Sequence, residues 1–250
     1  MPAMHGSKAR MMLSGWEVTA NMRGASTPAS ADLAESSTWG MTSKRYTPSD
    51  YIDGSLQGDG VWESGAVGAG SIDELLGTNV AGAHVATHLP QGDGLGNRAR
   101  IIGGAETSFE LDSPGDDVTG FSFEITPTAT GGFSGRARVL VPLAGALNIT
   151  ATGNGSTLDD LGAGPPTTTT RGLGAALHVI NKGGGAGTLT VKVQHSTDGS
   201  AWVDLITFAG VTAKNLAQYL EVTGTINRYL RAIWTLTGGT WDIHVAAGRK

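Results

Sequence analysis

Between Leu189 and His195 apolar and polar positions alternate strictly. Leu189, Val191, Val193 and His195 fall on one side, and Thr190, Lys192 and Gln194 on the other. This is the period of a strand with one wet face. Ser196-Thr197-Asp198-Gly199 follows, and Asp-Gly supplies the positive φ of a tight hairpin turn. The chain re-enters with Trp202-Val203-Asp204-Leu205-Ile206. Tyr229–Leu236 and Trp241–Val245 are two further β-rich runs, and Thr237-Gly238-Gly239-Thr240 between them reads as a second hairpin turn. The pattern predicts an antiparallel sheet with Trp202, Trp234 and Trp241 in its core.

The same reading carried from the start predicts short strands throughout. His5–Val18 is a pair of strands around Ser14-Gly15, with Trp16 as a buried anchor. Asn21–Ala34 is a loop or edge strand, where Pro28 donates no ladder hydrogen bond. Glu35–Gly40 is a short strand, Lys44–Tyr51 a polar excursion, and Ile52–Trp62 resumes extended structure. Ser71-Ile72-Asp73-Glu74-Leu75-Leu76-Gly77 carries the one helix signal, a capping box with acids in the first turn and a terminating glycine. Gly82–Asn97 reads as a loop. Strands follow at Ala99–Ile102, Thr107–Leu111, Val118–Ile125 and Ser134–Val141, with a turn at Ser113-Pro114-Gly115-Asp116. In the second half Ala146–Thr152 and Gly172–Ile180 are strands, and Gly183–Gly187 is a flexible turn. The fold class is all-β.

Composition sharpens this. The chain has 250 residues, 39 of them glycine, with only 16% charged, which suits many turns between short strands and excludes a coiled coil. Zero cysteines exclude a disulfide framework and thiolate-bound zinc. Met1–Gly15 lacks an apolar signal core, and no run of 18 apolar residues occurs, so neither a signal peptide nor a membrane span is expected. Residues 1–143 hold 9 Lys and Arg against 16 Asp and Glu, whereas residues 144–250 hold 8 against 6. The shift falls at Val141–Gly145 and predicts two domains, 1–143 and 144–250. An acidic first half argues against a surface that grips nucleic acid.

No candidate chemistry is compelling. His84 and His88 have the spacing of two helical zinc ligands, but Gly82 and Pro90 oppose a helix. Asp112, Asp116 and Asp117 lack the spacing of a calcium loop, and Gln91–Gly96 is a single glycine-rich loop with no helix after it. Gly132-Phe133-Ser134-Gly135 lacks the second spacer of a nucleophile elbow. Catalytic, cofactor and metal sites are therefore not expected. Arg98 and Arg100, and likewise Arg136 and Arg138, occupy alternate strand positions, so each pair shares a sheet face. They are candidates for contact with a neighbouring subunit's acids, against the plainer reading of a solvated face. Glu106 and Glu110 share a face by the same spacing.

One further observation comes from particular residues. Ala34-Glu35-Ser36-Ser37-Thr38-Trp39-Gly40, Lys44, Tyr46-Thr47-Pro48 and Asp53-Gly54-Ser55-Leu56 resemble the major tail (tail tube) proteins of long-tailed, non-contractile bacteriophages infecting actinobacteria. His5-Gly6-Ser7-Lys8 and Gly15-Trp16-Glu17-Val18 are similar to that family's opening. Val193–Trp202 and Gly224–Ala232 are similar to its closing part. The resemblance covers both ends and thins between Gly65 and Gly145. It implies a tail-tube-like β-sandwich or barrel domain with one short helix, then an outer C-terminal β-sandwich. It also implies a virion protein, made in the host bacterial cytoplasm, whose hexameric rings stack into a tube. The implied partners are other copies, a tape measure protein, a tail terminator and genome DNA in transit, with no membrane and no cofactor. Lumen candidates are Glu106, Glu110 and Glu124. Subunit-contact candidates are Lys44, Arg45, Tyr46 and Tyr51, within Lys44–Asp53, the loop Gly82–Asn97, and the four arginines. Two alternatives stand beside this: a capsid decoration or head–tail joining protein, and a carbohydrate-binding β-sandwich module with its tryptophans on the surface.

Overall fold

The computed structural model describes residues 8–35, 46–63, 71–77, 80–115, 118–143, 149–162 and 168–250. Nearly all regular structure is β. In the first half the strands are β1 (Arg10–Leu13), β2 (Trp16–Glu17), β3 (Met22–Ser26), β4 (Ala29–Glu35), β5 (Tyr46–Gly54), β6 (Leu56–Val61), β7 (Ala83–Leu89), β8 (Arg98–Asp112) and β9 (Gly120–Val141). The second half adds the short β10 (Gly153–Asn154), β11 (Leu158–Asp159) and β12 (Thr168–Thr169). Then come β13 (Leu173–Gly183), β14 (Leu189–Ser196), β15 (Val203–Thr207), β16 (Leu216–Val222), β17 (Ile226–Asn227), β18 (Tyr229–Leu236) and β19 (Thr240–Arg249).

A ten-stranded sheet runs β16-β13-β19-β9-β8-β7-β1-β2, with β6 on the first half of β9 and β3 on β6. Sequence halves meet inside it, because β19 pairs with the end of β9 (Val245 opposite Val141, Ala247 opposite Arg138). The sheet curls until its ends touch. The β1–β2 turn, Ser14 at φ 49° and Gly15 at φ 90°, lies so close to the start of β16 that a Cβ on Gly15 would stand 2.3 Å from the Leu216 backbone nitrogen. Glycine is required there by both conformation and space. Across the curl, Tyr219 of β16 occupies the space over Gly103. Leu89, Ile101, Val139, Ala176 and Ala246 fill the interior with it.

The second core lies between this sheet and a smaller one, β10-β18-β14-β15. Leu177, Val179, Trp241, Ile243 and Val245 of one sheet pack against Val191, Val193, Leu230 and Ala232 of the other. The expected hairpin through Gly238-Gly239 is therefore a corner. β18 pairs with β14 in the small sheet, while β19 pairs with β13 in the large one. The two glycines reverse the chain (Gly239 at φ 75°) without joining its arms, so that Trp241 drops between the layers. The Asp198-Gly199 turn forms as expected between β14 and β15. Asp198 Oδ1 accepts the Ser200 and Ala201 amides at 2.8 and 2.9 Å and the Ser196 hydroxyl, which holds its carboxyl down at about 2.

Two other expectations are corrected. Gly82–Asn97 is a loop only after Leu89; His84-Val85-Ala86-Thr87-His88 belongs to β7, a central strand paired with β1 and β8. Both its faces are covered, so the polar–apolar alternation that advertises a strand is missing. The four strands expected between Ala99 and Val141 are two long ones, β8 and β9, bent rather than broken at Gly103-Gly104, where the register shifts. The helix signal at Ser71–Gly77 yields a single π-type turn over Asp73–Gly77, with the Glu74 amide on Ser71 Oγ at 3.4 Å. It presses Ile72 and Leu76 onto a third core with Phe121, Phe123 and Ile125.

Candidate assembly surface

Past the end of β7, the large sheet narrows to four strands in the order β3-β6-β9-β8, and one face of these is wet. Leu56, Gly58 and Gly60 of β6 point inward. The two glycines leave room for the Phe123 and Phe121 rings, which a Cβ would meet at 2.5 and 2.7 Å. Gln57 and Asp59 point outward. Register then sets Gln57 beside Glu124 and Asp59 beside Ser122, with Ser108 opposite Glu124 and Glu110 opposite Ser122. The result is an open groove of about 550 Å³ lined by Ser26, Gln57, Asp59, Ser108, Ser122 and Glu124, with Glu110 one position on. Gln57 Nε2 donates to Glu124 at 3.0 Å, and this bond, with one from Ser55, lowers the Glu124 carboxyl. Sequence reasoning missed Asp59. Its signal is Leu56-Gln57-Gly58-Asp59-Gly60-Val61, an alternation in which glycine stands at inward positions.

Glu106 leaves this set. The register shifts between Glu106 and Ser108, and the extra residue Thr107 breaks the alternation that had put Glu106 and Glu110 on one face. Glu110 is exposed, whereas Glu106 is 1% exposed. Its carboxylate lies 3.4 Å from His84 Nε2, and the Ser14 hydroxyl bonds His84 Nδ1 at 3.0 Å. Burial pushes the Glu106 carboxyl up to about 7.

The opposite end of β8 is basic. Arg98 stands directly across from Arg138, and Arg98 and Arg136 crowd Arg100, whose guanidinium is weakened first by burial and then by their charge. The four arginines thus come together, whereas their spacing implied only that each pair shares a face. The C-terminal strand adds Arg249, which is buried and donates to Asp160 Oδ2 at 2.7 Å and to the Ile226 and Asn227 carbonyls at 2.9 and 2.6 Å. Asp160 also faces Arg138 at 3.7 Å. Arg98, Arg136, Arg138, Asp160, Arg249 and Lys250 line a cavity of about 470 Å³. Lys250 is paired with Glu221. Among the described residues Arg98 and Arg136 have no acidic partner within ion-pair distance.

The remaining candidates separate. Lys44 and Arg45 lie outside the described residues. Tyr46 and Tyr51 lie on β5, which pairs with β4 in a two-stranded arm. His84 and His88 sit four strand positions apart, roughly 13 Å by strand rise, and among the described residues no group of three His, Asp or Glu is placed to hold a metal. Asp116 and Asp117 lie outside the described residues. Ser134 is buried mid-strand, donating to the Arg249 carbonyl at 3.4 Å. The tryptophans make no common platform: Trp241 is fully buried, Trp234 packs at the edge of the sandwich core, and Arg231 stacks over Trp202 at 4.1 Å.

No protein-family model matches the chain, and no curated protein matches it significantly. Solved structures to which the chain shows similarity include a chain of the virion of a native gene transfer agent particle (13% identity, TM-score 0.39, covering 53% of this chain and 99% of that one). A chain from the tail of an empty gene transfer agent particle with C6 symmetry gives 12% identity and TM-score 0.38, with the same coverage. The Dit protein of phage SPP1, a hub protein of the adsorption apparatus, gives 8% identity and TM-score 0.38 over 97% of this chain and 99% of its own. At these scores the likeness assigns no role to the present chain.

Proposed function

We propose that the chain is a structural subunit of a phage tail, a tail-tube protein whose copies join into rings stacked as a conduit for genome DNA. The observation that carries this reading is the four-stranded stretch β3-β6-β9-β8. It has an oily face on the Phe121–Phe123 core, a wet face with Asp59, Glu110 and Glu124, and two open edges. Among the described residues these edges are open: β3 pairs only with β6, and Thr107–Asp112 of β8 pair only with β9. Open edges are a liability in a monomer, and joining copies edge to edge into one closed barrel removes it. Such a barrel turns the acidic face inward, where it repels phosphate and keeps DNA sliding; a basic lining would bind it. Glu110 and Glu124 keep their role as lumen candidates, Asp59 joins them, and Glu106 serves the interior. Catalysis has no part in this role. The division into 1–143 and 144–250 follows the charge shift, and its inner and outer arrangement, with the tape measure and terminator partners, follows the sequence resemblance.

The absence of cysteine from the chain makes the test clean. Ser26→Cys on the β3 edge and Ser108→Cys on the β8 edge are combined in one chain and oxidised after assembly. Tubes by electron microscopy and a ladder of crosslinked species ending at the ring number are expected. Assembled material that yields no ladder would refute edge-to-edge closure.

A further inference from the structure

The β8–β9 hairpin is chemically polarised along its length. At its tip Leu111 and Val118 are 45% and 51% exposed, and Asp112 is exposed between them, next to Leu111 and opposite Gly120. In the loop before its root Leu95 is 41% exposed, and the carbonyl of the next residue, Gly96, accepts from Arg138 at 3.0 Å on the cavity that Arg98 and Arg136 line without an acidic partner. Each end thus offers an apolar residue next to a charge, and the charges are opposite. The tip cannot satisfy its own root. Fourteen strand positions from Arg98 to Asp112 at about 3.3 Å each give a contour of roughly 45 Å, which the bend at Gly103-Gly104 shortens without bringing the tip back to the root.

We infer that the hairpin tip of one copy docks on the arginine-lined root of a second copy, Leu111 and Val118 against Leu95 and Asp112 against Arg98 and Arg136. The contact is heterologous, two different patches meeting, so it repeats head to tail and builds an open stack instead of closing on a dimer. It rests on the assembly reading above and supplies its axial contact, between rings, where the open edges supply the lateral one. The charges fix polarity and register: a tip set against a tip would bring acid to acid, and root against root arginine to arginine. Asp160 does not compete for the site, since Arg249 holds it at 2.7 Å.

The test is charge reversal with rescue. Asp112→Arg alone, and Arg98→Glu with Arg136→Glu, are each expected to raise the protein concentration needed for stacking by about tenfold or more, measured by sedimentation and electron microscopy at low salt. The chain with all three reversals, or an equimolar mixture of the two variants, is expected to regain stacking. If the glutamates lower the melting temperature of the unassembled chain, Arg98→Gln with Arg136→Gln and Leu111→Ser give the same comparison. Reversals that leave stacking unchanged in protein that forms tubes overturn this contact and leave the tube reading intact. Closed rings that never stack overturn this contact and the stacked tube with it, and leave only edge-to-edge ring closure standing. Wild-type protein that stays monomeric at low salt overturns both.

Discussion

Two buried ionisable groups set opposite limits on the pH range of this protein. His244 stands opposite His178 in the curled interior, their rings 6.2 Å apart. Burial, opposed by Asp93, pushes His244 down to about 4, while burial and then His244 push His178 well down. Between about pH 6.5 and 4 the unfolded chain takes up a proton at His244 that the folded chain refuses. Stability therefore falls as the medium is acidified through that window, by roughly 3 kcal/mol from this residue. His244→Gln is expected to flatten that part of the profile in denaturant titrations from pH 7 to 4; an unchanged slope would show that the fold takes the proton elsewhere. Glu106 works the other way. Its carboxyl, raised to about 7 by burial, keeps its proton in the folded chain from pH 4.5 upward, and the stability that proton confers is lost as pH rises through 7. Glu106→Gln is expected to match wild type near pH 4.5 and exceed it at pH 8.5 by up to roughly 3 kcal/mol. Equal stability at both would mean that a protonated His84 carries the charge.

At the scale of elements, the tryptophans separate what turns do from what packing does. Trp241 follows the Gly238-Gly239 corner, donates from Nε1 to the Gly238 carbonyl at 3.0 Å, and is enclosed by both sheets. Trp241→Ala is expected to cost about 3–5 kcal/mol by thermal or denaturant melts. Trp202, partly buried and outside the sandwich core, is faced by Arg231 in a cation–π contact worth about 0.5–1 kcal/mol at such sites. Trp202→Ala should accordingly melt close to wild type. A reversed order would mean that the small sheet does not pack on the large one as described.

For the whole molecule, continuity of the large sheet across residue 143 is the decisive feature. β19 pairs with the end of β9, and Ala176, Tyr219 and Ala246 from the second half close over Leu89, Ile101 and Val139 from the first. A chain ending at Leu143 uncovers that interior and opens the edge of β9. It is expected to aggregate or to lose cooperative melting, checked by light scattering and calorimetry. A soluble fragment with a sharp transition would instead mark 1–143 as an independent domain.

By itself the sequence determined what is local. Strict alternation identifies β14, Asp198-Gly199 its hairpin turn and Ser14-Gly15 the turn between β1 and β2, because side-chain period and positive φ are properties of neighbouring residues. It also placed the arginines on shared faces and the acids in the first half. The tertiary structure decided the rest. β7 was illegible because burial on both faces erases alternation. The Gly238-Gly239 corner looks like a hairpin in sequence because glycine chemistry encodes a reversal but not the sheet that each arm joins. Glu106 and Glu110 parted because a single bulged residue inverts every face beyond it. Asp59, Glu110 and Glu124 became one surface only when β6 and β8 took opposite sides of β9, a choice made by the phenylalanine core beneath them.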